Sequence, residues 1–457
     1  MSKSKKDGKL YLGIDVGGTK TLAALVQSSG KILARRRAPT PRGAPEETLA
    51  TVVQTIHELL AESGADRNAL RAIGIAVPGI IGPGGQIVVT PNLNLSGFDM
   101  RPRLEREFDM PVALGNDVNL GTLGEQWLGA AAFADSAVGI FVGTGIGGGI
   151  IFDGKLVLGH RGAAAEVGHM RLQPGGPLCG CGGHGCLEAL ASRTAIERDI
   201  RDAIAAGRQT RLTEMAQGDL SVIRSNVLKK ALVDGDPLVH EVVTRAAETL
   251  GAACLQIRLL LDPEVIILGG GVLEACKFFI LPIVQKVVAG DAFANSLPGG
   301  RIVTATLGDD AVVLGAVALA LQARGRDPFA KAKRTLQLFP MLTDLGPGTI
   351  TVGGETYQED VYVRVDGKVG RRAKVCPTGA ADTPEQIGRA ELKEVCKGKP
   401  SILIIGTGHD GAAALTPEGE EFLLKRGITY ETLNTPEAVG TYNAIKGRKA
   451  ALMHLGK

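Results

Sequence analysis

The sequence has little net charge, few aromatic residues and no recognisable export signal. Its 457 residues carry a formal net charge of +3 at pH 7, and only 4% are aromatic. So small a charge does not indicate a nucleic-acid or membrane partner, and we expect neither. The uncharged run at residues 136–152 contains six glycines, which argues against a membrane-spanning helix. No apolar segment follows the basic start at residues 1–9, so no secretory signal is predicted.

Cysteine is also scarce, and its distribution is uneven. Three of the seven cysteines fall within residues 179–186, whereas the other four are scattered at Cys254, Cys276, Cys376 and Cys396. Without a secretory signal this usage predicts a cytoplasmic protein, in which clustered cysteines are metal ligands rather than disulfides.

Glycine, by contrast, is abundant, with 63 residues. Two predicted strands, at residues 10–15 and 138–142, each run into a glycine-rich turn, which indicates two related halves. In such a turn, backbone N–H groups can cradle a phosphate, and an adjacent carboxylate can hold Mg²⁺ through water. The candidate residues are Asp15, Gly17, Gly18 and Thr19 in the first turn and Gly143 and Thr144 in the second. The alternative is that both turns are plain β-hairpins.

The tripeptide "GND" contains Asn116 and Asp117 and follows an apolar stretch. A carboxylate at a strand end beside a phosphate cleft can act as a general base on a substrate hydroxyl. The alternative is an N-terminal cap on the helix that follows, and the two roles are compatible.

His169, Cys179, Cys181 and Cys186 form an H-x9-C-x-C-x4-C pattern. One histidine and three cysteines make a closed tetrahedral Zn²⁺ site, which is structural because no position stays open for water. His184 lies inside the same loop as an alternative ligand. Glu166 and Glu188 flank the pattern and are candidates to bind a polyhydroxylated substrate, or else they are surface carboxylates. His160 either lies near the substrate or has no role.

The segments "DVGGTKT", "GND", "GTGIGGG", "AAAEVGH" and "CGCGGHGCLE" together resemble the ROK family of sugar kinases and repressors. The resemblance covers residues 10–325. It implies an actin-like, ribonuclease-H-type two-domain α/β fold with ATP and sugar in the interdomain cleft. A separate small α/β domain follows. The implied boundaries are a first lobe at 8–120 completed by helix 310–324, a second lobe at 121–309, a linker at 325–335 and the small domain at 336–457.

The resemblance also assigns roles to residues. It makes Asp117 the catalytic base, Asp15 a magnesium position and His169 both a zinc ligand and a sugar contact. Further sugar contacts are implied at Gly79, Asn92, Asn116, Gly145, Glu166 and Glu188. The nucleotide phosphates are assigned to Gly18, Thr19 and Lys20, and the adenosine turn to Gly269, Gly270 and Gly271. Phe98 stands where many family glucokinases have a tryptophan.

The resemblance implies a glucokinase that uses ATP and Mg²⁺, is braced by Zn²⁺ and forms a dimer or tetramer. Alternatives are a kinase for N-acetylmannosamine, N-acetylglucosamine or fructose, or a sugar-sensing regulator without catalysis. Repressors of the family carry an N-terminal helix-turn-helix, and only about nine residues precede the first predicted strand here.

Residues 336–457 resemble a different family, the adipogenesis-associated, complex I assembly-factor type. The matching segments include "YQEDVYV" and "ILIIGTGHDG". This resemblance implies no activity. The glycine turn in "GTGHDG" is either a third nucleotide loop or a tight turn after a central strand.

Overall fold

The computed structural model describes residues 9–132, 134–216, 220, 223–296, 300–330, 339–375, 385–445 and 447–456. Two compact units divide the chain, Met1–Pro328 and Phe329–Lys457. Of the expected linker at 325–335, residues 331–335 lie outside the described residues, as does Cys376. None of the helices in the described ranges is long and apolar enough to cross a membrane.

The first half of the larger unit alternates strands and helices. Its elements are β1 Leu10–Val16, β2 Lys20–Gln27, β3 Ile32–Pro39, α1 Pro45–Ser63, β4 Leu70–Val77, β5 Ile80–Ile81, β6 Ile87–Val89, α2 Met100–Phe108, β7 Val112–Asn116 and α3 Asp117–Leu128. The ends of helix α1 follow from its sequence. A proline occupies its first position, where no N–H donor is needed, and the helix ends at Gly64, whose φ of +62° favours glycine.

The second half begins with a hairpin and then becomes mainly helical. Its elements are β8 Ser136–Val142, β9 Ile146–Phe152, β10 Lys155–Leu156, α4 Leu187–Ala191, α5 Arg193–Ala205, α6 Leu212–Met215, α7 Ser225–Val233, α8 Pro237–Leu261, β11 Val265–Gly269, α9 Gly271–Ala289, α10 Ala292–Ser296, β12 Arg301–Thr304 and α11 Asp310–Ala323.

The two halves contain five-stranded sheets of the same design. Their strand orders are β3-β2-β1-β4-β7 and β10-β9-β8-β11-β12. In each sheet the first long strand pairs antiparallel with the next one and parallel with the strand on its other side. The duplication suggested by the two strand-and-glycine segments is therefore present in the topology. Each sheet contributes buried branched side chains to a separate hydrophobic core.

Helix α11 lies far along the chain but packs on the first sheet and on α3. Glycines make this close approach possible: a Cβ at Gly74 would lie 1.9 Å from the carbonyl oxygen of Ala316. Likewise, a Cβ at Gly315 would lie 1.7 Å from the carbonyl oxygen of Leu120. A side chain at either position would collide with backbone, so the helix can sit this close only on glycine.

The smaller unit is a compact α/β domain. Its elements are β13 Leu342–Asp344, β14 Ile350–Val352, β15 Glu355–Tyr357, β16 Val361–Val363, β17 Val369–Arg371, β18 Gln386–Ile387, α12 Arg389–Val395, β19 Ile402–Thr407, β20 Ala414–Leu415, α13 Pro417–Lys425, β21 Thr429–Leu433, α14 Thr435–Ala444 and β22 Lys449–His454. The main sheet has the order β17-β16-β22-β19-β21, in which β22, β19 and β21 run parallel. Hydrophobic clusters line both faces of this sheet.

Candidate active site

Asn116 and Asp117 lie where strand β7 ends and helix α3 begins. The Oδ1 of Asn116 accepts a hydrogen bond from the N–H of Asn119 at 2.9 Å, so Asn116 caps the helix. Its Nδ2 donates to the carbonyl of Gly79 at 2.9 Å and to Oδ1 of Asp117 at 3.0 Å. The capping role therefore belongs to Asn116, which also holds the carboxylate of Asp117 in place.

The carboxylate of Asp117 lies in a poorly hydrated environment. Burial raises its pKa above the ordinary value, and the negative charge of Glu166 adds to the rise. The N–H of Val118, which donates to Oδ1 at 2.9 Å, opposes the shift without cancelling it. A carboxylate with a raised pKa is a stronger proton acceptor than an ordinary one.

A small cleft opens beside this junction. Gly79, Asn116 and Glu166 are among its lining residues. Gly79 has a φ of +121°, and a Cβ there would lie 2.0 Å from the carbonyl oxygen of Val89, so only glycine fits. Three of the sugar contacts expected from the sequence thus come together in one cavity.

Both glycine-rich turns close antiparallel hairpins, the alternative that the sequence left open. The N–H of Gly17 donates to the carbonyl of Lys20 at 3.0 Å, and that of Gly143 donates to the carbonyl of Gly145 at 2.9 Å. Asn92 is exposed and lies beside the first turn. A Cβ built on Gly18 would lie 3.8 Å from the Cβ of Asn92. Each turn sits at the end of the first long strand of its sheet.

Asp15 is the last but one residue of strand β1 and is influenced by charges around the first turn. Burial, followed by the negative charge of Asp117, raises the pKa of Asp15 to about 7, while Lys20 opposes the shift and Asp309 adds to it. The Nζ of Lys20 pairs with Asp309 at 3.1 Å. Two neighbouring carboxylates in a poorly hydrated site repel each other, and a divalent cation would relieve that repulsion.

Glu188 connects the second turn to the cysteine loop. Its Oε2 accepts from the N–H of Ile146 at 2.9 Å, and its Oε1 lies 3.7 Å from the Sγ of Cys179. A Cβ at Gly145 would lie only 2.2 Å from the same Oε2, so a side chain here would displace the carboxylate of Glu188. One oxygen of Glu188 is therefore held by a backbone N–H of the second turn, and its expected contact with a sugar stays a prediction.

Arg193 is a site residue that the sequence reasoning missed. It is the first residue of helix α5. Its Nη2 donates to Oγ1 of Thr144 at 2.7 Å, and its backbone N–H donates to the carbonyl of Gly143 at 2.9 Å. These bonds fasten the second turn to the helix that follows Glu188. Only its position just after the Ser192 helix cap singles Arg193 out in the sequence.

The four residues of the His/Cys pattern converge in space. Their potential ligand atoms all lie within 4.8 Å of one another. Nδ1 of His169 is 3.7 Å from Sγ of Cys179, and the Sγ atoms of Cys181 and Cys186 are 3.8 Å apart. A tetrahedron with Zn–S bonds of about 2.3 Å has edges of about 3.8 Å, so the set fits the ion.

The remaining candidates fall outside this cluster. His184 lies 3.1 Å from the carbonyl of Gly176 through its Nδ1 and does not belong to the cluster. His160 is exposed. Phe98 packs partly buried against the core of the first half, with the guanidinium of Arg103 4.6 Å from its ring centre.

The expected adenosine turn joins strand β11 to helix α9. Gly269 ends the strand and Gly271 begins the helix. Gly270 between them has a φ of +87°, and a Cβ there would lie 2.5 Å from the carbonyl oxygen of Val142. A tight strand-to-helix turn of this kind brings a helix N-terminus close to a bound nucleotide.

Two five-stranded sheets with the same strand order, each beginning with a hairpin that closes in a glycine-rich turn, define the actin-like, ribonuclease-H-type two-domain fold. A separate small α/β domain follows it in this chain. The model of the ROK family matches residues 11–323. The chain belongs to the ROK family.

Relatives within this family include enzymes and regulators. A glucokinase of Halalkalibacterium halodurans is 33% identical over 308 residues, covering 67% of this chain and 93% of the relative. The crystal structure of a ROK family glucokinase from Streptomyces griseus in complex with glucose and AMPPNP is 31% identical, with a TM-score of 0.60 over 68% of this chain and 99% of that one. The DNA-binding transcriptional dual regulator NagC of Escherichia coli is 28% identical over 68% of this chain and 75% of its own length.

The smaller unit matches a second family model, described as a protein of unknown function (DUF498/DUF598), over residues 342–454. This description names no activity. The resemblance to the adipogenesis-associated family stays a prediction.

Proposed function

We propose that residues 11–323 form an ATP-dependent hexose kinase that transfers the γ-phosphoryl group to the 6-hydroxyl of the sugar. The observation that carries this proposal is the half-buried carboxylate of Asp117, whose pKa is raised and which Asn116 holds beside a cleft lined by Asn116 and Glu166. A sugar hydroxyl in that cleft would lose its proton to Asp117 as its oxygen attacks the phosphorus.

The surrounding residues then divide into two groups. Sugar hydroxyls would contact Gly79, Asn92, Asn116, Gly145, Glu166, His169 and Glu188. The nucleotide would contact Gly17, Gly18, Thr19, Lys20, Gly143, Thr144, Gly269, Gly270 and Gly271. Because phosphoryl transfer needs little covalent chemistry from the protein, these residues would act mainly by positioning the reactants and balancing charge.

Two metals fit residues of the site. Mg²⁺ near Asp15, bound through water, would supply positive charge to the transferring phosphoryl group. Zn²⁺ on His169, Cys179, Cys181 and Cys186 would be structural. Helix α4 begins directly after Cys186, so the metal would fix the position from which Glu188 reaches the second turn.

Glucose is the proposed substrate, and N-acetylmannosamine, N-acetylglucosamine and fructose are the competing sugars. The second candidate function is a sugar-sensing regulator, because repressors occur among the relatives. Sequence identity favours the kinase: the Halalkalibacterium glucokinase is 33% identical to this chain and NagC is 28% identical. An intact Asp117 favours it as well.

A coupled assay of ADP release over these four sugars tests the proposal, with GTP and polyphosphate as alternative donors. We expect the highest kcat/KM for glucose with ATP, and a strong loss in Asp117→Asn. The regulator would be supported instead if the wild-type chain binds a sugar but releases no more ADP than Asp117→Asn with any of the four sugars. We also propose a cytoplasmic homo-oligomer, a dimer or a tetramer, which sedimentation of the purified chain would check.

A further inference from the structure

The first turn of helix α3 contains a buried polar side chain that the proposed reaction does not use. Asn119 is 5% exposed and is among the residues that line the cleft beside Asn116. Its side-chain oxygen Oδ1 has no hydrogen-bond partner among the residues that the structure describes. A buried amide oxygen without a donor costs free energy, and most such groups in folded proteins are satisfied. Asn119 therefore needs a partner that the described chain does not supply.

A structural role within the helix does not account for this amide. Asn119 is the third residue of α3, a position from which a side chain can close a capping box with the residue before the helix. Only the first half of such a box is present here, in which the backbone N–H of Asn119 donates to Oδ1 of Asn116 at 2.9 Å. The cap is thus made without the side chain of Asn119.

The backbone that carries Asn119 is held on two sides. Strand β7 runs directly into the helix, and strand β9 packs against its first turn. A Cβ at Gly149 would lie 3.1 Å from the Cα of Asn119, and a Cβ at Gly147 would lie 2.7 Å from Cγ2 of Val118. A polar group on so rigid a support loses little conformational entropy when it binds a ligand.

The polar groups of the cleft indicate what kind of ligand satisfies them. The polar side chains among its lining residues are those of Asn116, Asn119 and Glu166. Both ends of the Asn116 amide are already engaged, Nδ2 by Gly79 and Asp117 and Oδ1 by the N–H of Asn119. Of the side chains, the exposed carboxylate of Glu166 and the unpaired oxygen of Asn119 remain. Both accept hydrogen bonds, so the ligand must provide donors.

A hydroxyl group meets this requirement. It donates and also accepts, so it pairs with either end of a primary amide. A phosphate group offers mainly acceptors, and the carboxylate of Glu166 repels its charge. The cleft is therefore suited to the hydroxyl-bearing part of a sugar and not to a phosphorylated part.

We propose that Asn119 is a further sugar-binding residue, whose side-chain amide hydrogen-bonds one hydroxyl of the substrate. This inference rests on the proposed function, since it takes the cleft beside Asn116 as the sugar site. Asn119 would select the sugar and take no part in phosphoryl transfer. A site that hydrogen-bonds a hydroxyl rejects the analogue that lacks it, because the polar group of the protein is then left unpaired.

Equilibrium binding without ATP tests this proposal, because it reports sugar contacts whether or not the chain is a kinase. Glucose and the three competing sugars are titrated into the full chain by calorimetry, and the sugar that binds most tightly is carried forward. Asn119→Leu keeps the shape of the side chain and removes its hydrogen bonds. We expect this variant to bind the sugar about tenfold more weakly or worse. Its midpoint of thermal unfolding without sugar should not fall, because an unpaired buried oxygen has been removed.

Gln126 on the same helix is a matched control. It is 2% exposed, its Oε1 also lacks a partner among the described residues, and it does not line the cleft. Its Nε2 donates to the carbonyl of Ala134 at 2.9 Å, so Gln126→Met should lower stability. Its sugar affinity should nevertheless equal that of the wild type. An equal loss of affinity in both variants would reveal a general disturbance of α3 and overturn the proposal.

Monodeoxy analogues of the sugar identify the hydroxyl and separate a direct contact from a structural effect. One analogue, which lacks the hydroxyl paired with Asn119, should bind the wild-type chain about tenfold more weakly than the parent sugar. Asn119→Leu should bind that analogue and the parent sugar about equally. The penalties for the other analogues should be the same in both proteins, since only the paired groups are coupled.

Two results would overturn this inference while leaving the kinase assignment intact. The first is wild-type sugar affinity in Asn119→Leu, which would mean that the amide binds only a buried water. The second is a penalty that changes equally for every analogue. If the wild-type chain binds sugar but releases no ADP, the kinase assignment falls and the role of Asn119 stands. If none of the four sugars binds, the cleft is not a sugar site and both fall.

Discussion

Asp117 carries the chemistry proposed for the larger unit, and an asparagine removes its charge while keeping its shape. We expect Asp117→Asn to lower kcat by about 10²–10⁴-fold with little change in sugar affinity, because a general base acts mainly in the transition state. Steady-state kinetics and calorimetric titration with the sugar measure the two quantities.

Asp109 offers a matched control for that substitution. It is an exposed residue at the end of α2 with a φ of +50°, a conformation that asparagine also tolerates. Asp109→Asn should leave kcat unchanged. If Asp117→Asn retains more than about a tenth of wild-type turnover, another group is the base.

The raised pKa of Asp117 has a kinetic consequence. The carboxylate must be ionised to accept a proton, so kcat/KM should fall as the pH drops through its pKa in the free enzyme. Because burial raises that pKa, the fall should begin at a higher pH than for an ordinary carboxylate. A pH profile with saturating ATP and Mg²⁺ checks this, and activity that stays flat down to pH 4 would contradict it.

At this scale the sequence predicts residue types better than their partners. Asn116, Asp117 and Glu166 could be found because a strand end or a short spacing marks them. Arg193 could not, because its contact with Thr144 joins residues 49 positions apart and depends on how α5 is placed. The hydrogen bond from the N–H of Ile146 to Glu188 could not be predicted either, because it joins residues 42 positions apart.

At the scale of elements, the cysteine loop couples a metal to a helix. Cys181→Ser removes one of the four proposed ligands, and we expect loss of the metal together with at least a tenfold rise in KM for the sugar. Zinc content by mass spectrometry and kinetics on the same preparation provide the measurement. Metal loss with unchanged sugar kinetics would separate the loop from function.

His184 supplies the control, because it lies in the same loop outside the cluster and instead contacts the carbonyl of Gly176. His184→Gln should keep both zinc and sugar affinity. Loss of the metal in this variant would mean that the ligand set is wrong.

The contact between α3 and α11 leads to a prediction about stability. Gly315→Ala would place a Cβ 1.7 Å from the carbonyl oxygen of Leu120, so the two helices must separate. We expect a loss of about 1–3 kcal/mol in the free energy of unfolding. Thermal and urea denaturation measure it. Gly290→Ala is the control, since its φ is −74° and its Cβ would come no closer than 3.4 Å to any neighbour.

Single elements were easier to predict than their pairing. The apolar pattern and glycine turns predict strands at 10–15 and 138–142 and a helix at 310–324, and the structure has them at Leu10–Val16, Ser136–Val142 and Asp310–Ala323. The apolar and glycine pattern of one helix or strand does not indicate which other backbone segment it will contact. The fit of Gly74 against Ala316 could therefore be found only from the folded structure.

At the scale of the whole molecule, the two compact units predict separable proteins. The proposed kinase residues all lie before Pro328, where the first unit ends. A chain cut after Pro328 should fold, bind zinc and phosphorylate sugar with a kcat close to that of the full chain. Residues 329–457 should be soluble alone, as domains of about 120 residues commonly are.

A second truncation tests the position of the cut. Ending the chain at Asp309 removes α11, and we expect an insoluble or unfolded product because the first sheet and α3 lose their shared neighbour. A soluble 1–328 fragment that binds zinc but lacks kinase activity would instead show that the smaller unit contributes to the active site or to a required oligomer.

The return of α11 to the first sheet has a consequence for synthesis of the chain. Gly74 and Ala316 leave the ribosome roughly 12 to 48 s apart at 5–20 residues per second. Throughout that interval the first sheet has been made, but the helix that covers it has not. The nascent first half must therefore wait with an apolar surface uncovered, which makes it a candidate client of ribosome-associated chaperones until translation passes residue 323.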